Sequence, residues 1–268
     1  MRRARLDAEL VRRGLARSRT QAAELVEGGR VMVSGLIATK AATAVGPDDA
    51  VVVRDPRSGE PDYVSRGGHK LAGALAAFGP HGLQVAGRRC LDAGASTGGF
   101  TDVLLRAGAG SVLAVDVGYG QLAWSLRTDP RVVVIDRTNV RELTLERVGT
   151  PVELVVGDLS FISLTVVLSA LVAVSEPQAD LVLMVKPQFE VGRDRVGAGG
   201  VVRDPTLRAE AVRTVAACAG ELGRGVRGVV ASPLPGPAGN VEYFLWLRGG
   251  APPLDDADLD RALAEGPS

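Results

Sequence analysis

A chain of 268 residues, 46% of them hydrophobic, is long enough for one full α/β domain with a smaller domain beside it. Its formal net charge is zero and it holds two cysteines, Cys90 and Cys218, which excludes a disulfide framework and suits a cytosolic protein with both thiols buried. The start MRRARLDAELVRR leads into no apolar segment, and the longest apolar run, near Leu164 to Val174, is too short to cross a bilayer, so neither secretion nor insertion is expected.

The zero balance hides an uneven spread, because residues 1–40 carry nine basic and four acidic side chains. Leu6, Leu10 and Val11 fall at helical spacing, and Ser18 followed three residues later by Gln21 resembles a capping box opening a second helix that stops at Gly28 and Gly29. RVMV, a Ser34-Gly35 turn and LIA then predict a hairpin, with AVVVR as a third strand. This small helix-and-sheet unit bears Arg2, Arg3, Arg5, Arg12, Arg13, Arg17, Arg19 and Lys40. Such density suggests a polyanion partner, a solvated basic face being the alternative.

The stretch DPRSGEPD, Asp55 to Asp62, predicts a linker, which puts the domains at residues 1–54 and 63–250. Beyond it, RCLDAG, VLAVDV, VVVID, ELVVGDL, LVLMVK, GVVAS and VEYFLWLR alternate with helical patterns that include a long helix from Thr206 to Leu222. Continuous strands rich in valine and leucine predict an α/β fold whose mostly parallel sheet is covered on both faces. Residues 251–268, with Asp255, Asp256, Asp258, Asp260 and Glu265 against Arg261, read as an acidic tail, either a solvated helix or a frayed end.

Between the first large-domain strand and its helix lies Leu91-Asp92-Ala93-Gly94-Ala95-Ser96-Thr97-Gly98-Gly99-Phe100. Small residues there let the backbone approach a ligand, and the following helix offers free N–H donors. Asp116 ends the next strand, where a carboxylate can accept both hydroxyls of an adenosine ribose. The order DxGxxxG departs from the dinucleotide GxGxxG and is closer to methyl-donor sites; NAD or a plain structural turn remain open from the loop alone.

Of 31 basic side chains three are lysine: Lys40, Lys70 and Lys186. Guanidinium stays charged, whereas a desolvated ammonium can lose its proton, so lysine is the one able to act as a base. Lys186 and Asp158 end strands, at the edge where doubly wound sheets bind ligands. Glu242 opens the last strand and Lys70 sits in SRGGHKL at the domain's start, so two lysines and two carboxylates can converge; separate strand-end ion pairs are the plainer alternative. No spacing of His, Cys, Asp or Glu suggests a metal site.

The motifs SRGGHKL, LDAGASTGGF, VDVGYGQL, GDLSFISL, VKPQFEVG and GNVEYFLW, in this order behind a basic small domain, resemble the TlyA ribosomal RNA 2′-O-methyltransferases, a family historically labelled haemolysins. The resemblance runs to about Arg248 and implies an S4-type RNA-binding domain joined to a Rossmann-like class I methyltransferase domain of the RrmJ/FtsJ kind. It implies S-adenosylmethionine as cofactor and, as substrate, a cytidine ribose of 16S or 23S RNA in assembled 30S or 50S subunits, with no stable protein partner. The family's Lys-Asp-Lys-Glu tetrad falls on Lys70, Asp158, Lys186 and Glu242, with Lys186 as base. Asp92, Gly94, Ser96, Thr97 and Gly98 would surround the cofactor's methionine, Asp116 its ribose and Asn139 its adenine, with Val117 also among the cofactor-binding residues. Arg3, Arg5, Arg17, Arg19, Lys40 and Arg66 would hold RNA.

One departure stands out. Where relatives carry a basic residue and a tryptophan before SRGxHKL, this chain reads Pro61-Asp62-Tyr63-Val64. Two rivals to the enzyme remain: an S4-type ribosome-associated RNA-binding protein without catalysis, disfavoured by the intact loop and four polar strand-end residues, and an NAD oxidoreductase, disfavoured by the glycine pattern.

Overall fold

The computed structural model describes residues 3–54 and 61–267, so Arg2 and all but the last two residues of the Asp55–Asp62 linker lie outside the described residues. The chain divides into two units, Met1–Arg66 and Gly67–Ser268.

In the small unit β1 (Ala4–Arg5) runs into α1 (Leu6–Arg12), followed by α2 (Arg19–Glu27), β2 (Val31–Val33), β3 (Leu36–Ile37), β4 (Ala44–Val45) and β5 (Val51–Val53). Ser18 Oγ accepts from Gln21 N at 3.1 Å, as its capping role requires. The Gln21 side chain reaches Arg17 N rather than Ser18 N, so the reciprocal bond of the box is displaced by one residue. Ser34 and Gly35 both adopt positive φ, 50° and 85°, the hand that matches hairpin twist. β2 is the middle strand between β3 and β5, and the β1–β4 pair is a second sheet whose two-residue strands carry no periodic signal. Leu6, Leu10, Ala22, Val26, Val31 and Val45 close the small core.

The large unit opens with α3 (Gly67–Phe78) and continues through β6 (Arg89–Ala93), α4 (Gly99–Arg106), β7 (Ser111–Val115), α5 (Trp124–Arg127) and β8 (Val132–Ile135). Next come α6 (Leu145–Val148), β9 (Val152–Gly157), α7 (Leu164–Ala173), β10 (Ser175–Val185), α8 (Pro187–Glu190), α9 (Pro205–Glu221), β11 (Arg224–Ala231), β12 (Tyr243–Gly249) and α10 (Asp256–Ala264). Among the described residues these strands form one sheet in the order β11-β12-β10-β9-β6-β7-β8. β12 is antiparallel to both neighbours and the other pairs are parallel. The chain steps outward from β6 to β8 and then returns to the other side of β6 with β9, which makes the β6–β9 boundary the switch point where a crevice opens at the carboxyl ends.

A buried carboxylate far from that crevice sets the register. Asp180, fully enclosed on β10, accepts from Trp246 Nε1 of β12 at 2.7 Å and from Arg88 at 2.6 Å. Sliding β12 along β10 would take Trp246 from that buried carboxylate and leave its Oδ1 short of a donor, a cost of about 1–3 kcal/mol.

Two expectations need correction. The acidic end is not a loose tail: α10 lays Leu259 and Ala262, both buried, into the main core, and Asp255 caps it at Ala257 N. Its acids occupy the outer face, which is why net charge alone misread it. Cys90 is buried, its thiol pushed up to about 12 by desolvation, but Cys218 on α9 is only partly enclosed.

Leu259→Ala should lower stability by about 3 kcal/mol, the usual cost of emptying a filled leucine site, whereas Asp260→Ala on the exposed face should shift it by under about 0.5 kcal/mol. Urea unfolding of both variants measures this, and equal small effects would mean that the helix does not dock.

Candidate active site

Lys186 follows β10 directly and caps α8, Asp158 follows β9, Glu242 precedes β12, and Lys70 lies in the first turns of α3. The ladders pair Leu183 with Gly157 and Val185 with Tyr243, so continuing them brings Asp158 up on one side of β10's end and Glu242 on the other. Lys70 Nζ donates to Glu242 Oε2 at 2.6 Å, with both side chains buried. Lys186 Nζ lies 2.5 Å from Asp158 Oδ1, close enough to pair but poorly angled for a hydrogen bond. Its well-angled N–H goes instead to Ser160 Oγ at 2.8 Å. The four predicted side chains thus form two ion pairs at one end of the sheet, and pairing is what makes burial of their charges tolerable.

The loop after β6 is built from residues that can turn left-handed. Gly94, Ser96 and Gly98 have φ of 85°, 47° and 100°. A Cβ on Gly94 would stand 2.8 Å from the Asp158 carbonyl, and one on Gly98 would strike Leu126 and Leu122, so both glycines are needed for space as well as for hand. Asp92, the last residue but one of β6, is fully buried. One carboxylate oxygen accepts from Thr101 Oγ1 at 2.7 Å, and the other has no hydrogen-bond partner. Desolvation, with the charges of Asp158 and Asp116 adding to it, raises Asp92 to about 7.

Asp116 is fixed by two backbone donors, Ser96 N at 2.8 Å and Gly118 N at 2.7 Å, and keeps lone pairs for further donors. Thr97 lies in the same turn, its carbonyl bound by Ala123 N. Val117, next to Asp116, is exposed. Asn139 follows β8 and spends its Oδ1 on capping Arg141 N, which leaves its amide donors for a ligand. Thr138 N donates to the Asp116 carbonyl, so Asn139 and Asp116 border one crevice.

Two neighbours of this cluster were not singled out from sequence. Ser160, exposed, holds Lys186, and Phe161 beside it is 92% exposed with a φ of 65°. Its ring lies 5.3 Å from that of Phe189 on α8. A bulky residue in this conformation costs about 1–2 kcal/mol and is a marker of functional geometry. The one sequence signal was an aromatic and a hydroxyl just past a strand-end acid. Among the described residues, no group of three or more His, Cys, Asp or Glu side chains is placed to hold a metal ion.

In the small unit, Asp7 gathers two of the predicted RNA contacts: Arg5 donates to both its oxygens at 3.1 and 3.0 Å, and Arg19 donates at 3.0 Å. Those hydrogen bonds hold the Asp7 carboxyl well below its usual range and leave the two guanidinium groups more than half exposed. Leu6 N and Asp7 N donate to Thr43 and Ala41 carbonyls, which lays the Lys40 loop against the same helix start. Arg12 and Arg13 instead clasp Glu9. Arg3 and Arg17 are exposed, and Arg66 ends the unit just before α3. In the altered linker Asp62 pairs with Arg30 at 3.0 Å.

Residues 63–249 match the FtsJ-like methyltransferase family model and residues 4–51 match the S4 domain. The chain is 62% identical over 272 residues, 99% of each chain, to the 16S/23S rRNA (cytidine-2′-O)-methyltransferase TlyA of Mycobacterium tuberculosis. It is 36% identical to hemolysin A of Brachyspira hyodysenteriae, over 90% of this chain and 98% of that one. A solved structure described as a hemolysin from Streptococcus thermophilus superposes with a TM-score of 0.77 at 36% identity, covering 99% of this chain and 96% of that one.

Burial of Asp92 makes a stability prediction of definite sign. The unfolded carboxyl ionises near 3.8 and the folded one near 7, so the folded state binds more protons between these values and loses stability as pH rises through them. Asp92→Asn keeps an acceptor for Thr101 and removes that loss. Its melting temperature relative to the parent should climb from pH 5 to pH 8, and a constant difference would count against the raised value.

Proposed function

This chain belongs to the S4-bearing TlyA family of FtsJ-like methyltransferases, and from that premise we propose that it methylates the 2′-oxygen of a cytidine ribose in ribosomal RNA. The single observation that carries the reading is a buried lysine, Lys186, paired with the half-buried Asp158 at the end of the sheet beside a glycine turn. The 62% identity with the mycobacterial enzyme over 99% of both chains supports 16S and 23S RNA as the substrates; that they are met in assembled subunits in the cytoplasm is part of the same proposal.

S-adenosylmethionine suits the turn. Asp92 Oδ1 is a buried acceptor lacking a donor, and the α-ammonium of the cofactor is the kind of cation such an acceptor needs. Gly94, Ser96, Thr97 and Gly98 would line its methionine part, Asp116 and Val117 its ribose, and Asn139 its adenine. When bound, the cofactor supplies a sulfonium-activated methyl whose S–C electron pair leaves with sulfur as a neutral thioether.

The chain's own residues have less to do than in acyl transfer, because the electrophile is already activated. They must orient the 2′-hydroxyl and receive its proton. Lys186 must first give up the proton it holds in the ion pair and then takes that of the hydroxyl at Nζ; Asp158 stabilises the ammonium formed, and Lys70 with Glu242 orients the ribose. The small unit contributes affinity through phosphate contacts at Arg5 and Arg19, which Asp7 holds in place before RNA arrives.

Lys186→Arg keeps the positive charge but cannot accept a proton. It should bind ribosomal subunits like the parent and lose at least about hundredfold in turnover, read as labelled methyl in ribosomal RNA; normal labelling would sink the base assignment. Changing Arg5 and Arg19 to glutamine should weaken subunit binding and flatten the plot of log affinity against log salt by about 0.7–0.9 per lost contact. An unchanged slope would put the RNA surface elsewhere.

A further inference from the structure

A neutral lysine amine has two N–H bonds and one lone pair, so what its N–H groups bond to determines where the lone pair points. Asp158 Oδ1 at 2.5 Å and Ser160 Oγ at 2.8 Å are both acceptors on one short loop. Cε occupies one vertex of the Nζ tetrahedron and the N–H to Ser160 Oγ a second, while Asp158, close but off the hydrogen-bond direction, acts on the remaining two through its charge.

We propose that Ser160 is a positioning residue for Lys186: it accepts the well-angled N–H of Nζ, fixes the rotation of the amine about Cε–Nζ beside the Asp158 charge, and thereby aims the lone pair at the incoming 2′-hydroxyl. This rests on the reading of Lys186 as the base. In the step the O–H bond breaks, its electron pair stays on O2′ to form the bond to methyl, and the proton joins Nζ. The new ammonium is nearly buried, whereas Ser160 is exposed. The serine hydroxyl therefore also gives the proton a hydrogen-bonded route to water once the product has formed.

The backbone supports this assignment. Phe161 is held at a φ of 65° immediately after Ser160, and its ring packs on Phe189 of α8, the helix that Lys186 caps. The loop and the helix are thus tied together on both sides of the Nζ–Oγ bond, which keeps the serine from turning away.

Lysine scarcity makes the test direct. Full-length protein labelled at lysine Cε and Nζ carries three lysines, and two of them, Lys70 and Lys186, are buried and paired with a carboxylate. In Ser160→Ala without cofactor or RNA, the Lys186 side-chain signal should move and its N–H protons exchange faster, while the Lys70 signal stays in place and reports an intact fold. Single-turnover methylation of ribosomal subunits should slow by about tenfold to hundredfold, as expected for lost orientation, with the subunit concentration at half-maximal rate unchanged, and Ser160→Thr should restore both readouts. An unmoved Lys186 signal, a parent-like rate, a loss confined to subunit affinity, or failure of threonine to rescue would each overturn the proposal. Activity in Lys186→Arg would instead overturn the base reading beneath it; an inactive Lys186→Arg beside a fully active Ser160→Ala would remove the serine role alone.

Discussion

The candidate active site depends on how β10 is flanked. β9 runs parallel to it on one side and β12 antiparallel on the other, so one strand end meets both a departing strand and an arriving one. That mixed pairing is why an acid just after β9 and an acid just before β12 can bracket the same lysine-bearing terminus. An all-parallel arrangement would put residue 242 at the opposite end of the sheet. Asp180 and Trp246 fix this geometry from the far end through a buried hydrogen bond, so the register of the site is held by a contact that takes no part in its chemistry.

The glycine turn and the ion pairs are one electrostatic object. Asp92, Asp116 and Asp158 crowd the carboxyl ends of β6, β7 and β9, and Gly94 packs directly on the Asp158 carbonyl. Desolvation chiefly, and then the mutual repulsion of these acids, keeps Asp92 prone to hold its proton. A pocket of this kind disfavours anionic ligands and favours a cationic one, because a positive group relieves the repulsion while it binds. A pyrophosphate-bearing dinucleotide would add to the crowding, which gives a physical reason to prefer a sulfonium ligand beyond the spelling of the glycine motif.

Much of this was legible in the sequence because the signals were local or strongly periodic. The seven strands of the large unit are apolar runs bounded by turn residues, and strand-end placement put Asp158 and Lys186 at one edge, whereas Glu242, which opens a strand, reaches that edge only because β12 is antiparallel. The partners were not legible, since nothing in spacing says that Lys70 meets Glu242, 172 positions away, rather than Asp158. Ser160 and Phe161 carry no such signal: Phe161 matters through a left-handed backbone turn, and Ser160 through a bond to a lysine 26 positions away. The acidic end was misread because charge is visible in composition whereas the two buried positions of α10 are visible only once a core exists to receive them.

Both lysines of the site sit where arginine would be the better choice for pairing alone. Guanidinium offers a planar fork that fits a carboxylate in two places and is less costly to desolvate than ammonium. The chain uses arginine in that way elsewhere: Arg5 grips Asp7 with two N–H groups, and Arg12 grips Glu9 likewise. For Lys70, buried against a single Glu242 oxygen, the point charge is explained by size, because a fork would need room at the second oxygen, where the loop through Gly236 already presses. For Lys186 size is not enough. Its carboxylate partner is badly angled and its good hydrogen bond is spent on a serine, a poor arrangement for holding two charges together and one that suits the proposed role of its amine as a base.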